Sequence, residues 1–354
     1  MLSEIFTPSK SQAKLTLAFI IALFANTSVL ATVSDKHKRV VHFTYSTEIG
    51  PIETNSGPVH VFIPLPVKNE QQNVLEEKIS ASIPGEVEVE DAYGNRYWHG
   101  YLEAANQLPI RISVDVTVER AGAELAEPVA STALGLQERN AFKQYLKPNN
   151  LVLVGAPILD PIRAEIHQRV NSDDPARIAR GIYDWVVENV EYKKVGNGWG
   201  NGDTYWACTE RYGNCTDFHA LFISLARSEG IPARFEIGFP LPDDRPAGQV
   251  GGYHCWVQFY LPETGWFPID ASEAFKHPEL KEYFYGAHPT NRIHFSTGRD
   301  LTLGEAQQAQ PLNYFIYPHV EVGGKPYTGT ISKRFSYRAP GDPASVAVGK
   351  AAPK

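Results

Sequence analysis

In the stretch 211-RYGNCTDFHALFISLARSEGIPAR-234, Cys215 lies where the pattern predicts that a loop becomes a helix. After Cys215 the apolar side chains fall three or four residues apart, which is the spacing of an amphipathic helix with one buried stripe: Phe218, Leu221, Phe222 and Leu225. Gly230 and Pro232 end the helix. Free backbone N–H groups and the helix dipole stabilise a thiolate at such a start, so Cys215 is a candidate nucleophile.

A general base for this thiolate is predicted on the next pair of strands. The runs 253-YHCWVQFY-260 and 265-GWFPID-270 flank a turn signal and are typical of an antiparallel hairpin. If the turn is centred near residue 262, His254 lies opposite Asp270, with the two side chains about 5 Å apart. A centre one residue later moves the partner of His254 to position 272. On the first register, Asp270 orients the imidazole and leaves its other nitrogen for Cys215.

Four stretches resemble the transglutaminase-like superfamily of cysteine enzymes, which have a papain-like fold, and in particular its exported bacterial type: 213-GNCTDF-218, 230-GIPAR-234, 254-HCWV-257 and 266-WFPID-270. The resemblance is close over roughly residues 150–275 and looser on either side. It implies Cys215 as nucleophile, His254 as base and Asp270 as the residue that orients the base. Where relatives commonly have alanine after the histidine, this chain has Cys255.

These residue types indicate acyl transfer. The thiolate attacks an amide carbonyl, and the acyl-enzyme is released to water or to an amine. Water is the default acceptor, so we expect hydrolysis of peptide or amide bonds in a protein or peptide substrate, with protein-crosslinking transamidation as the alternative. No cofactor or metal is required. The backbone N–H of Cys215 is one expected oxyanion donor. Side-chain candidates for the second, each of which can equally be a packing residue, are Trp199, Tyr205 and Trp206.

Two other functions compete with this prediction. One is a metal-binding module, because the chain holds enough ligands for a zinc site: Cys208, Cys215, His219, His254 and Cys255. No CxxC or HxxxH spacing supports it. The other is a catalytically silent scaffold of the same fold, since a lone cysteine, histidine or aspartate is usually structural. Labelling by a thiol reagent distinguishes this scaffold from an enzyme.

The N-terminus predicts export. Two lysines precede an apolar run over residues 15–25, and Val29 and Ala31 suit a signal-peptidase site, so residues 1–31 are interpreted as a signal peptide. No later segment is apolar enough to span a membrane, and we expect a periplasmic or secreted protein. Without the signal peptide the chain has 31 Lys and Arg against 39 Asp and Glu, a formal charge of −8, which argues against nucleic acid as a partner.

The sequence predicts an α+β protein in two domains. Short alternating runs broken by Pro, Gly and Asn indicate an antiparallel β-sandwich over residues 32–125. Helical periodicity then begins, with a helix start at 173-DDP-175, and residues 126–338 form the catalytic domain, in which a helix carrying Cys215 packs on a sheet. The glycine-rich loop 196-GNGWGNGD-203 is either a linker or part of a cleft wall. The tail 339–354 is expected to be disordered.

The two remaining cysteines are predicted to be either disulfide-bonded or inert. Strand alternation places Cys255 on the face opposite His254 and away from the proposed site. An oxidising compartment permits a bond between Cys208 and Cys255, although the sequence does not bring them within bridging distance.

Overall fold

The computed structural model describes residues 38–54, 56–105 and 107–340 of the chain. The predicted signal peptide lies outside the described residues, as does the predicted tail from residue 341 onward. Within the described ranges, no helix has the length and apolar character needed to cross a bilayer.

The first part of the described chain consists of strands, as its period-two pattern predicts: β1 (Lys38–Ile49), β2 (Val59–Pro64), β3 (Gln72–Ala81), β4 (Gly85–Val89), β5 (Arg96–Leu102), β6 (Ile110–Ala121) and β7 (Ala123–Glu124). Alternate side chains of β1 are buried, because successive residues of a strand point to opposite faces. Antiparallel pairing joins β6 to β1 and β3, and joins β5 to β2 and β4.

Helices follow: α1 (Leu136–Ala141), α2 (Lys143–Leu146), α3 (Asp160–Val170), α4 (Pro175–Asn189), α5 (Thr204–Glu210), α6 (Cys215–Ser228) and α7 (Ala271–Lys276), with 3₁₀ turns at Pro157–Leu159 and Pro278–Leu280. The start of α4 is the predicted one. The Asp174 carboxylate accepts a hydrogen bond from the Ala176 N–H, and Pro175 occupies the first helical position, where its missing N–H costs nothing.

The remaining strands are β8 (Glu191–Tyr192), β9 (Tyr212–Gly213), β10 (Ala233–Pro240), β11 (Ala247–Val250), β12 (His254–Leu261), β13 (Gly265–Ile269), β14 (Ala287–His288), β15 (Arg292–Thr297), β16 (His319–Val322), β17 (Lys325–Pro326) and β18 (Ile331–Arg338). Four of them form an antiparallel sheet in the order β13-β12-β10-β15, and α6 packs on β10 and β12.

All residues of α6 from Cys215 to Arg227 are buried. The expectation of one buried stripe is therefore wrong, because α4, α5 and α7 cover the sides of α6 that the sheet leaves open.

Strands from the end of the chain complete the sheets of its first part. The two five-stranded sheets have the orders β11-β18-β1-β6-β3 and β17-β16-β2-β5-β4. The domain division predicted from the sequence assigns residues 126–338 to the catalytic domain. In the structure, however, β18 pairs with β1 and β16 pairs with β2. The domain boundary near residue 125 stays a prediction.

Aromatic packing joins the β1 sheet to the sheet under α6. The Phe43 ring centroid lies 5.2 Å from that of Phe239 of β10 and 5.7 Å from that of Phe295 of β15, and the Phe335 ring of β18 lies 4.3 Å from Phe239. Tilted and edge-to-face pairs of this kind stabilise a core beyond their buried area. The predicted fold class is confirmed: the protein is a mixed α/β structure dominated by antiparallel sheets, with a helix that begins at a cysteine packed on one of them.

Candidate active site

Cys215 is the first residue of α6, and the polar groups around it fix that helix start. The Asn214 side chain accepts from the Thr216 N–H at 2.8 Å, while the Asp217 carboxylate accepts from the Asn214 N–H at 2.9 Å. The second contact belongs to a capping box, in which the Asn214 side chain also accepts from the Asp217 N–H. Gly213 leaves room for it, because a Cβ there would lie 2.2 Å from the Asp217 Oδ2. Asp217 thus acts as a helix-start residue, as its position in the first turn predicts.

The same carboxylate holds the glycine-rich loop against α6. Asp217 accepts from the backbone N–H of Gly200 at 2.6 Å and from that of Gly202 at 2.9 Å. From the far side of the loop, the Asn313 side chain donates to the Asn201 carbonyl at 2.8 Å, and the Tyr314 hydroxyl donates to the Gly200 carbonyl at 3.3 Å. The loop was predicted to be either a linker or part of a cleft wall. These contacts hold it beside the start of α6, which fits a wall of the region around Cys215 better than a free linker.

His254 begins β12 and contacts the carboxylate of Asp270. Its Nε2 donates to Asp270 Oδ2 at 2.6 Å, and both side chains are buried. This bond leaves Nδ1 for the other neighbour of the ring, and the thiol of Cys215 lies within hydrogen-bonding reach of His254. The structure therefore brings together the three residues that the sequence singled out as a candidate triad.

The register of the hairpin is the second of the two that were considered. Val257 pairs with Ile269 and Leu261 with Gly265, which corresponds to position 272 as the formal partner of His254. The first register is therefore wrong. Asp270 reaches the imidazole by another route, because β13 ends at Ile269 and Asp270 caps α7, where its Oδ1 accepts from the Glu273 N–H at 3.0 Å.

The charges of these groups support one another. Burial by itself would raise the pKa of Cys215, but hydrogen bonds from Cys255 and His254 and the charge of His254 hold it well below its ordinary value. Burial lowers the pKa of His254, whereas the charge and hydrogen bond of Asp270, together with Cys215, raise it to about 9. The pKa of Asp270 lies well below its usual range despite burial, because His254 and Arg292 favour the carboxylate. This arrangement favours a thiolate paired with an imidazolium.

Cys255 lies at this site, and its predicted orientation away from it is wrong. Its thiol donates to Thr216 Oγ1 at 3.8 Å, lies 3.5 Å from His219 Nδ1 and is close enough to Cys215 to affect its pKa. The start of α6 lies over the start of β12, so the helix-facing side of the strand also faces the nucleophile. Burial and the adjacent Cys215 raise the pKa of Cys255 well above its ordinary value. All three cysteines are free thiols in the structure, so the disulfide alternative is absent from it.

Two further residues at the carboxylate were not found from the sequence. Arg292 Nη1 lies 3.1 Å from Asp270 Oδ2, and His219 Nε2 lies 3.6 Å from its Oδ1. Burial lowers the pKa of His219 to about 4, so that ring is neutral near pH 7. A lone arginine at the start of a strand carries no local signal of such a role, whereas His219, one helical turn after Cys215, was considered only as a metal ligand.

The candidate side chains for a second oxyanion donor have other environments. The indole N–H of Trp199 donates to the Gly196 carbonyl at 3.0 Å, and that of Trp206 donates to the Tyr212 carbonyl at 2.8 Å. Tyr205 is 55% exposed on α5. Both indole N–H groups thus already donate to nearby backbone carbonyls. Over the described ranges, no group of three or more His, Cys, Asp or Glu side chains is arranged to hold a metal ion.

The family model of the transglutaminase-like superfamily matches residues 164–271, a segment that contains all three candidate residues. An uncharacterized protein of Haemophilus influenzae is 27% identical over an alignment of 363 positions, which covers 88% of this chain and 93% of that protein. YebA, an uncharacterized protein of Bacillus subtilis, is 32% identical over 77 residues, which is 19% of this chain and 10% of YebA.

A solved structure shares the fold. It is described as a candidate cysteine protease from Cytophaga hutchinsonii and superposes with a TM-score of 0.55 at 17% identity, covering 84% of this chain and 89% of that one. At this identity the likeness concerns the fold. With the family match, it defines the class: the chain carries a transglutaminase-like core domain, in which a helix that begins at a cysteine packs on an antiparallel sheet.

Proposed function

We propose that the protein is an exported cysteine-dependent enzyme that hydrolyses peptide or amide bonds. Cys215 is the nucleophile, His254 the base and acid, and Asp270 the residue that orients the imidazole. The observation that carries the proposal is the hydrogen bond of 2.6 Å between His254 Nε2 and Asp270 Oδ2, made by the ring whose charge and hydrogen bonding hold the pKa of Cys215 low. A neutral structural histidine does not need this arrangement, whereas an imidazolium paired with a thiolate does.

The reaction begins from the ion pair. The Cys215 sulfur attacks the amide carbonyl, forming an S–C bond, and the developing oxyanion accepts a hydrogen bond from the Cys215 N–H at the helix start. His254 then donates its proton to the leaving nitrogen as the C–N bond breaks. In the second half, the neutral ring takes a proton from water, which attacks the thioester and releases the acid and the thiolate. Asp270 stabilises the charged ring each time it forms.

Export of the enzyme is part of the proposal and rests on the composition of residues 1–31, which combine lysines, an apolar run and a small-residue cleavage site. The substrate class is a protein or peptide outside the cytoplasm. N-terminal sequencing of the mature protein is expected to begin at Thr32. A mature chain that retains residues 1–31 would contradict this part of the proposal without affecting the chemistry.

Cleavage of a peptide library by the purified protein tests the chemistry. The wild-type chain is expected to release new N-termini, and the Cys215→Ala variant to release none. A parallel reaction with an added primary amine measures transamidation, because both outcomes share the acyl-enzyme and differ only in the acceptor. If neither product forms and Cys215 reacts with thiol reagents like an ordinary cysteine, the silent scaffold replaces the enzyme.

A further inference from the structure

A buried arginine contacts the carboxylate of the proposed triad. Arg292 is the first residue of β15 and is only 3% exposed. Its Nη1 lies 3.1 Å from Asp270 Oδ2, the same oxygen that accepts the hydrogen bond from His254. The guanidinium also lies over the ring of Trp256, 4.8 Å from the centroid, which fixes its plane. Arg292 lies outside the segment that the superfamily model matches.

We propose that Arg292 is a positioning residue that keeps Asp270 ionised and aimed at His254, and thereby maintains the thiolate–imidazolium pair. This role rests on the proposed function of Cys215, His254 and Asp270. Arg292 contacts the orienting carboxylate and acts through it.

Charge balance is the first argument. The thiolate of Cys215, the imidazolium of His254 and the carboxylate of Asp270 together carry one net negative charge in a buried site. A buried net charge is costly, and proteins usually relieve it by moving a proton. Arg292 brings the four groups to neutrality. A guanidinium is a permanent cation in proteins, so it supplies this positive charge without taking a proton from a neighbouring group.

The other groups around the pair do not supply this charge. Glu273 Oε1 lies 4.0 Å from His254, but it is partly exposed and pairs with Lys276 at 2.6 Å. The buried Arg120 of β6 lies in the field of the Glu236 carboxylate. The pKa of each remaining titratable neighbour of Asp270 or Arg292 is shifted by burial in the direction that keeps it neutral: His219 on α6, Cys255 on β12, Tyr183 on α4, Tyr192 on β8, His288 on β14 and Tyr283.

The sheet brings the arginine to the triad through a tight backbone contact. Gly238 of β10 pairs with His254 on one side and with His294 of β15 on the other, where the ladder shifts register between Ile237 and Gly238. A Cβ at Gly238 would lie 1.7 Å from the Ile293 carbonyl oxygen. The glycine therefore allows β15 to approach β10 closely, two residues along β10 from Pro240, the strand partner of Arg292. Arg292 must be placed precisely, because it shares one oxygen of the Asp270 carboxylate with His254.

The two possible roles of Arg292 differ in their effect on pH dependence. Removing a cation raises the pKa of every nearby acid, so loss of Arg292 should raise the pKa values of Cys215, Asp270 and His254 together. A purely structural arginine would instead lower thermal stability and leave the titration of the thiol unchanged. The alkylation rate of Cys215 as a function of pH reports this titration without any substrate.

The experiment compares Arg292→Gln, Arg292→Lys and Arg227→Gln in the full chain. Arg227 is a matched control, since it is equally buried but bonds to the Ala233 carbonyl and to Asn149 Oδ1, both at 2.8 Å. Iodoacetamide alkylation of Cys215 is followed from acid to alkaline pH, together with Tm. Arg292→Gln is expected to raise the alkylation midpoint by about one pH unit. Arg292→Lys is expected to recover most of that shift, and Arg227→Gln to lower Tm without moving the midpoint.

A midpoint unchanged in Arg292→Gln, or shifted equally by Arg227→Gln, overturns the positioning role. If Arg292→Gln does not fold, the double variant with Asp270→Asn is decisive, because removing both charges restores neutrality. It is expected to fold, and its alkylation midpoint should exceed that of Asp270→Asn alone by clearly less than one pH unit, since only the direct effect of the lost cation on the thiolate remains. A difference of one unit or more would contradict action through Asp270. If wild-type Cys215 shows no alkylation below neutral pH, the proposed function itself fails, which is distinguishable from failure of the arginine's role.

Discussion

Replacing His254 by alanine should convert Cys215 from a thiolate into a thiol that is no more acidic than an unperturbed cysteine. Two effects oppose each other at this sulfur: burial raises its pKa, while hydrogen bonds from Cys255 and His254 and the charge of His254 lower it. The variant loses the imidazolium and retains the burial. We therefore expect the pKa of Cys215 to rise to about 8.5, the value of an unperturbed cysteine, or above it.

The size of the shift follows from these limits. A change from below neutral pH to about 8.5 or more is at least about 1.5 pH units, or roughly 2 kcal/mol of differential stabilisation of the thiolate. At pH 6, a thiol with a pKa of about 8.5 is only about 0.3% ionised. A thiolate of higher pKa is, however, intrinsically more nucleophilic, so the rate at a single pH underestimates the change. The midpoint of the pH–rate curve is the quantity to measure.

Iodoacetamide alkylation between about pH 4.5 and 10, followed by mass mapping of the peptide that contains Cys215, provides that midpoint. The matched control is His167→Ala, which removes a histidine that pairs with Glu229 at 2.9 Å on the surface, far along the sequence from the site. Its midpoint should equal that of wild type. An unchanged midpoint in His254→Ala, or a wild-type Cys215 that reacts no faster than Cys208 or Cys255 at pH 6, would contradict a thiolate stabilised by His254.

Four further outcomes are expected. Cys215→Ala should abolish turnover while costing only about 1 kcal/mol of stability, because one buried sulfur is removed, and residual turnover would exclude Cys215 as nucleophile. Asp270→Asn should reduce kcat/KM less than Cys215→Ala does, since nucleophile and base remain; an equal loss would contradict a purely orienting role. For wild type, kcat/KM should fall as pH rises through about 9, because the raised pKa of His254 keeps the imidazolium below that pH and releases its proton above it. Cys255→Ala should raise the alkylation midpoint of Cys215 by about half a pH unit, because a hydrogen bond to the thiolate is lost; a lower midpoint would show that Cys255 does not donate to it.

Local patterns in the sequence were sufficient to predict the helix and the hairpin that carry the candidate triad. The apolar spacing after Cys215 predicts α6, and the turn signal at residues 262–265 predicts the hairpin of β12 and β13, because each depends on neighbours within a few residues. The candidate triad could be named for the same reason: Cys215 begins its helix, His254 begins its strand, and Asp270 directly follows one.

Tertiary structure alone decided how these elements meet. The hairpin register differs by two residues from the first one considered, and the contact between His254 and Asp270 depends on the turn into α7. Arg292 reaches Asp270 through β15, and β16 and β18 join strands from the other end of the chain. Periodicity reports which face of a segment is buried but not which distant segment covers it. The neighbours of the nucleophile beyond the triad therefore depend on long-range pairing, which local sequence patterns do not encode.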